Sequence, residues 1–66
     1  MTERTREILP RLRLRQEGGE QLLIKPLIQE LLKEGLDPVE VGWLVSHVLD
    51  YSMGLAVHLA TVESQS

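Results

Sequence analysis

The chain has 66 residues, a formal net charge of −3 and 42% hydrophobic residues, values typical of one small folded domain rather than a disordered tail. It contains no cysteine, which excludes disulfides and thiolate metal sites. Trp43 and Tyr51 are its only aromatic residues, which disfavours a stacking platform for single-stranded nucleic acid. Because a chain this short has marginal stability by itself, we expect a partner chain to complete it.

Positive charge is concentrated at the start of the chain. Five arginines against two glutamates give the first fifteen residues a charge of +3, whereas two lysines against eight acidic residues give the remainder −6. This basic arm could contact phosphates or an acidic partner, or it could neutralise the acidic body of its own or a neighbouring chain. No secretory signal is visible, which predicts a cytoplasmic protein.

The N-terminal part is predicted to be extended. Residues 1–10 are expected to form a flexible polar arm. Residues 11–15 read RLRLR, an alternation that predicts a strand with Leu12 and Leu14 on one face. Arginine and leucine are also good helix formers, so a helix is the open alternative to a hairpin for residues 11–25. Pro10 argues against a helix running through this segment, because it would fall in the helix interior.

The next element depends on the break at Gly18-Gly19. These glycines would form the tip of a hairpin if residues 20–25 pair with the preceding strand. Alternatively, residues 20–25 begin a helix. The following stretch, 26–34, has the apolar spacing of an amphipathic helix, and Gly35 stands where a left-handed C-cap is expected.

A longer helix is predicted to follow. Asp37 is a good N-cap, Pro38 fits the first helical position, and Glu40 completes a capping box. The helix should run to about Val62 and leave a frayed tail at 64–66. The fold class is therefore mainly α: a short basic strand or hairpin, then a helix-turn-helix pair in a domain spanning 11–63.

The long helix has an apolar arc that covers nearly half of its circumference. A two-turn first helix could not shelter this arc, so a second copy of the chain is predicted to cover it and complete the fold as a dimer. Gly42 and Gly54 each lower the stability of the predicted helix relative to alanine, which indicates either close packing at these positions or a break in the helix near Gly54. The predicted oligomer interface consists of Val41, Leu44, Val45, Val48, Leu49, Leu55, Ala56, Leu59 and Val62.

Two candidate sites on this helix are disfavoured by their spacing. His47 and Asp50 could offer two metal ligands, which are too few without a symmetric copy. Ser46, His47 and Asp50 are the residue types of a hydrolase triad. However, Ser46 and His47 are consecutive and should point about 100° apart, so no Ser-to-His hydrogen bond is expected within one chain. Neither an enzyme activity nor a cofactor is predicted.

A membrane span is also disfavoured. The apolar stretch 41–60 is twenty residues long but contains His47, Asp50 and His58, and its flanks lack basic residues. Trp43 and Tyr51 lie two turns apart beside the apolar arc. They could anchor a second protein, or they could cover the first helix or the N-terminal hairpin.

The order of elements resembles the ribbon-helix-helix family of DNA-binding regulators. The resemblance is carried by RLRLR at 11–15, PLIQELLKEGLDP at 26–38 and VGWLVSHVLDY at 41–51. It implies a dimer in which a strand with Arg11, Arg13 and Arg15 meets bases or phosphates and residues 38–40 approach a phosphate.

Two functions therefore stand as expectations. The first is a small non-enzymatic helical protein that acts by homo-oligomerisation and by docking onto a larger protein, as an adaptor or regulatory module. The alternative is a dimeric ribbon-helix-helix-like transcriptional regulator. Arg11, Arg13, Arg15, Trp43 and Tyr51 are the candidate contacts to a partner or to nucleic acid.

Overall fold

The computed structural model describes residues 2–66, and four helices account for most of that length. They are α1 (Glu3–Glu17), α2 (Ile24–Lys33), α3 (Pro38–Leu49) and α4 (Met53–Ser64). Residues 2–66 contain no strand, so the fold is all-α. The predicted N-terminal strand or hairpin is wrong.

The RLRLR segment is helical because only one of its two leucines belongs to the core. Leu12 is buried with Thr5 and Ile8, at spacings of three and four residues that place all three on one face of α1. Leu14 is 66% exposed, whereas a strand would have placed both leucines on the same face. Arginine and leucine are also strong helix formers, so local propensity agrees with the packing.

Pro10 lies inside α1, where the sequence argued against a helix. It lies on the exposed side, and it removes one hydrogen bond from the helix. Burying Ile8 and Leu12 contributes about 1.5–3 kcal/mol each, which offsets the roughly 3 kcal/mol that an interior proline costs. Of the flexible polar arm expected at residues 1–10, residues 3–10 form the first turns of α1, and Met1 lies outside the described residues.

The expected hairpin tip at Gly18-Gly19 is instead the C-terminal cap of α1. Gly19 has a φ of +97°, a conformation that glycine adopts without strain. The Glu20 amide donates to the Arg15 carbonyl at 3.0 Å, and the Gly19 amide donates to the Gln16 carbonyl at 3.0 Å. This is the Schellman arrangement of a helix end. The break at Gly18-Gly19 is confirmed, but the elements before and after it are both helices.

The predicted turn between the second and third helices is confirmed. Gly35 has a φ of +94° and follows the end of α2. At the start of α3, the Asp37 carboxylate accepts from the Glu40 amide at 2.9 Å. The Glu40 carboxylate in turn accepts from the Asp37 amide at 3.0 Å. With Pro38 in the first turn, this is the capping box that the sequence predicts.

The single long helix predicted from Pro38 to Val62 is wrong, because the chain reverses at residues 50–52. Asp50 adopts the left-handed conformation, with φ 59° and ψ 35°. Aspartate is one of the few non-glycine residues that enters this region readily. Ser52 then caps α4, its hydroxyl accepting from the Leu55 amide at 3.2 Å. Asp50 therefore ends α3 and Ser52 caps α4 within one apolar stretch.

The reversal folds α4 back against α3 in an antiparallel hairpin. A Cβ atom at Gly42 would lie 2.4 Å from Cγ2 of Val57 and 2.7 Å from the Val57 backbone nitrogen. Ala56 and Ala60 are fully buried in the same hairpin. Close packing of the two helices is therefore what requires glycine at position 42, and Gly54 has no such neighbour.

The other two helices pack around this hairpin. α1 runs parallel to α3, since Thr2 reaches Glu40 at one end and the Gln16 side chain donates to the Val48 carbonyl at the other. α2 packs against both α3 and α4. The core consists of Ile8, Leu12, Leu22, Leu27, Ile28, Leu31, Leu36, Val41, Leu44, Val45, Val48, Ala56 and Ala60.

The chain by itself has the surface area of a folded monomer. Its accessible area is 4245 Å², close to the value of about 4,200 Å² that mass scaling gives for a monomeric protein of this size. Much of the apolar arc that was expected to need a second chain is therefore covered within the chain.

Candidate interaction surface

Most of the predicted oligomer interface is buried within the chain. This part comprises Val41, Leu44, Val45, Val48 and Ala56. Leu49 and Leu59 are partly buried at the edge of the core. Leu55 and Val62 remain 47% and 51% exposed. Of the predicted interface, the outer side of α4 is therefore the most accessible part.

A continuous apolar surface joins this side of α4 to the start of α2. Leu59 and Val62 line a groove together with Ile24 and Ile28 of α2. Helical spacing places Leu55 and His58 on the same side of α4 as Leu59 and Val62. We call this the α4 surface, which consists of Ile24, Leu55, His58, Leu59 and Val62.

The α4 surface is uncharged, apart from its two ends. Residues 51–62 contain no Asp, Glu, Lys or Arg, although the chain carries a net charge of −3. Lys25 lies at one end, where its ammonium is 3.7 Å from the Glu63 carboxylate and its side chain is 71% exposed. The exposed Asp50 lies at the other end, just before α4. Such a surface offers apolar contact across its centre, with the Lys25–Glu63 pair at one end and the carboxylate of Asp50 at the other.

The predicted arginine contacts do not share one face. Arg11 and Arg15 lie beside α2, where they line a groove with Glu30 and Glu34. Arg13 is exposed on α1 and makes no ion pair within residues 2–66. Because α1 is helical, side chains two residues apart point about 200° apart. The fold therefore separates Arg13 from Arg11 and Arg15, all three of which a strand would have aligned.

Arg15 is the arginine most firmly engaged by its own chain. Its guanidinium lies 2.6 Å from the Glu20 carboxylate and 2.7 Å from that of Glu30. Hydrogen bonds with Glu20 and Glu30 raise the pKa of Arg15 above its usual range. The hydrogen bond from Arg15 holds the pKa of Glu20 below its usual range. This pairing corresponds to the interpretation in which the basic segment neutralises acidic groups of its own chain.

Trp43 and Tyr51 do not form one contact site. The indole of Trp43 is partly buried, and its ring centre is 4.1 Å from that of His47. It borders a shallow cleft with Val39 and Met53. Tyr51 lies in the turn between α3 and α4, 38% exposed, and does not line that cleft.

The Ser46–His47 pair is closer than its sequence spacing predicted. Ser46 Oγ lies 3.3 Å from Nδ1 of His47, which is within hydrogen-bonding distance although the sequence predicted no hydrogen bond from Ser46 to His47. Both groups nevertheless share the Trp43 carbonyl, each at 2.8 Å. A carbonyl only accepts, so Ser46 and His47 Nδ1 both donate to it. The proton of Ser46 therefore points away from the imidazole, which is the wrong direction for activating a nucleophile.

The described residues contain neither a metal site nor a membrane-spanning helix. No three His, Asp or Glu side chains in residues 2–66 lie together in a way that could hold a metal ion. Every buried side-chain nitrogen or oxygen in this range has a hydrogen-bond partner. No helix between residues 2 and 66 combines the length and the apolar character needed to cross a membrane.

Comparison with protein-family models, with curated proteins and with solved structures finds no match to this chain. Leu55, Leu59 and Val62 were identified from the sequence, whereas Ile24, His58 and the flanking Lys25 were missed. Ile24 and Lys25 adjoin α4 only because α2 packs against it, and no local pattern signals that contact. For the residues of α4, the feature of the sequence that indicates the surface is the uncharged stretch 51–62.

Proposed function

We propose that the protein is a non-enzymatic interaction module that holds another protein chain on its α4 surface. The observation that carries this proposal is the exposure of Leu55 and Val62, each about half accessible, on an uncharged helix face. Burying the exposed half of such a side chain contributes about 1 kcal/mol. Leu59 and Ile24 are partly exposed beside Val62, so these side chains form one contiguous apolar patch rather than isolated positions.

The rest of the molecule offers less support for other functions. Ser46 and His47 have their protons turned toward a backbone carbonyl, which disfavours hydrolytic chemistry. The ribbon-helix-helix alternative needs a strand at residues 11–15, and that segment is part of α1. We therefore do not propose DNA binding through Arg11, Arg13 and Arg15.

The proposal is tested by site-specific photo-crosslinking in cells that express the protein. A benzophenone side chain is placed at Leu55 or Val62, and in control variants at Leu14 or Leu23, which are exposed elsewhere. We expect crosslinked products of defined mass from positions 55 and 62 and none from 14 and 23. Equal crosslinking from all four positions, or none from any, would contradict the proposal.

A further inference from the structure

We propose that residues 50–52 are a hinge at which α4 swings away from α3, so that residues 38–64 become one continuous helix and two copies of the chain exchange their α4 helices. This inference goes beyond the proposed function and does not rest on it, because it concerns the side of α4 that packs against α3. It is carried by the spacing of the contacts between α3 and α4, by the conformation of the turn, and by a hydrogen bond that holds the turn.

The contacts between α3 and α4 pair residues in antiparallel order. Gly42 lies against Val57, and Ser46 Oγ lies 3.9 Å from the sulfur of Met53. Both pairs are centred between residues 49 and 50. If α4 is exchanged, the same pairs form between α3 of one copy and α4 of the other, so the dimer requires no contact surface that the monomer lacks.

These contact residues are spaced as if the two helices were one. Their separations alternate between four and three residues across the turn, which is the spacing of a heptad repeat. On one unbroken helix all of them would fall within an arc of about 80°. A hairpin does not require this match, because the turn residues can absorb any difference in phase. The residues are Gly42, Ser46, Leu49, Met53, Ala56 and Ala60.

The residues of the turn are compatible with a continuous helix. The stretch 43–53 contains neither glycine nor proline. Asp50 is the only non-glycine residue with a positive φ among residues 2–66, and helical geometry would relieve that unfavourable conformation. Tyr51 and Ser52 are exposed, so straightening the turn removes no residue from the core. Short connections that hold strain are typical hinges of domain swapping.

The Gln16 side chain stabilises the closed hairpin. It donates to the Val48 carbonyl at 3.0 Å. In a continuous helix this carbonyl would accept from the Ser52 amide, four residues further along the chain. Gln16 therefore replaces a helical hydrogen bond that the turn removes, and its loss should favour exchange.

The exchanged dimer has a defined form. Its two antiparallel helices would each be about 40 Å long, and each half of the dimer would combine α1, α2 and α3 of one copy with α4 of the other. The two-fold axis passes between residues 49 and 50, which brings the two Asp50 carboxylates near each other. Their repulsion favours the monomer at low concentration.

Refolding at two concentrations tests whether exchange occurs. The full chain is unfolded in guanidinium chloride, refolded at about 1 μM or about 1 mM, and analysed by size exclusion with light scattering. We expect a monomer at the lower concentration and, at the higher one, a fraction with twice the 7.5 kDa mass of one chain. A wild-type chain that gives no dimer at about 1 mM overturns the inference.

Variants of the turn test whether residues 50–52 are the hinge. The double variant Asp50→Ala/Ser52→Ala should raise the ratio of dimer to monomer by about tenfold or more, because each dimer contains two straightened hinges. Asp50→Gly should lower the ratio, because glycine adopts the left-handed turn without strain. Equal ratios in these variants would exclude residues 50–52 as the hinge.

Gln16→Ala should raise the ratio about fivefold, because the closed hairpin loses a hydrogen bond that the exchanged form does not use. Gln29→Ala, a matched change at an exposed glutamine of α2, should leave the ratio unchanged. Circular dichroism verifies that each variant is folded. The same ratio in both glutamine variants would contradict the role of Gln16.

A cysteine pair distinguishes exchange from side-by-side association, since the chain has no native cysteine. In Ser46→Cys/Met53→Cys, oxidation of the monomer should join α3 to α4 within one chain. Oxidation of the isolated dimer should instead join the two chains, which a non-reducing gel shows. A chain locked by the disulfide before refolding should give no dimer. Dimers whose disulfides lie within each chain would overturn exchange.

The two proposals fail independently. Leu55 and Val62 lie outside the exchanged contact, so a chain that never exchanges its α4 helix leaves the interaction module standing. Absence of photo-crosslinks from positions 55 and 62 overturns the interaction module and leaves the hinge untouched.

Discussion

The α3–α4 hairpin and α1 are held in place by different kinds of contact. In the hairpin, Gly42 lies so close to Val57 that even a methyl group would collide with backbone atoms. α1 instead contributes the buried Ile8 and Leu12 and the partly buried Leu9, and makes further contacts through polar groups at its edges. The hairpin is therefore sensitive to added atoms, whereas α1 is sensitive only at its few apolar anchors.

The polar contacts of α1 position it more than they stabilise it. Arg4 donates to the Glu34 carbonyl at 2.6 Å, Thr2 donates to Glu40 at 2.8 Å, and Arg15 pairs with Glu30 at 2.7 Å. All three contacts are exposed, and exposed polar pairs typically contribute only about 0–1 kcal/mol. The basic segment, which is the clearest charge feature of the sequence, is therefore not what holds the fold together.

The largest effect is expected from Gly42→Ala, which tests the tight packing of the hairpin. The added Cβ would lie 2.7 Å from the Val57 nitrogen, so the two helices must separate. We expect the free energy of unfolding to fall by about 3 kcal/mol, at the upper end of overpacking effects. Chemical denaturation monitored by circular dichroism measures it.

Gly54→Ala is the matched control for that variant, because the same atom is added where nothing lies within 4 Å. Its stability should be unchanged or higher by up to about 1 kcal/mol. If the two alanine variants lost stability equally, the close contact between α3 and α4 would not be the reason for Gly42.

The second prediction separates the two leucines of RLRLR. Leu12 is 2% exposed and Leu14 is 66% exposed. Leu12→Ala should lower the free energy of unfolding by about 2 kcal/mol, at the low end of its class because α1 is peripheral and can relax. Leu14→Ala should change it by less than about 0.5 kcal/mol. Equal losses would favour a strand, in which both leucines share a face, over the helix.

A smaller effect is expected at the reversal between α3 and α4. Asp50 has a φ of 59°, which costs most side chains about 1–2 kcal/mol. Asp50→Ala should therefore lower stability by about 1 kcal/mol, while Asp50→Gly should keep it or raise it by about 0.5 kcal/mol. Thermal unfolding of the pair measures the difference, and a more stable alanine variant would argue for a continuous helix at this point.

The smallest effect concerns the ion pair at the end of α1. In an NMR titration, the pKa of Glu20 should lie below the usual glutamate range because of its hydrogen bond with Arg15. The pair therefore contributes stability above the ordinary glutamate pKa and loses it as the pH falls through the lowered value. In Arg15→Gln the pKa of Glu20 should return to its usual range. An unchanged titration would show that the pair does not persist in solution.

The elements that could be predicted from sequence are those whose determinants lie within a few residues. The capping box of Asp37 and Glu40 and the left-handed cap at Gly35 are confirmed, because each involves side chains and amides three residues apart or less. The alternation at 11–15 misled because arginine and leucine suit either secondary structure. Whether residues 11–15 form a strand or a helix depended on whether Leu12 and Leu14 are both buried, which is a property of the packed molecule.

The candidate site was only partly accessible from the sequence for the same reason. Leu55, Leu59 and Val62 belong to an apolar arc that helical periodicity identifies. The sequence could not show which part of that arc α1, α2 and α4 would cover. Ile24 and Lys25 are more than thirty residues away from Leu59, so nothing local indicates that they share a surface.

By itself, the sequence determined a break at Gly18-Gly19, a helix end at Gly35 and a helix start at Asp37, because backbone conformation and capping hydrogen bonds act over short distances. Only the tertiary structure decided that residues 38–62 form two helices rather than one. A left-handed Asp50 has a local cost, and it is offset when Gly42 and Val57 meet and Ala56 and Ala60 become buried. That gain exists only after the chain has folded back on itself.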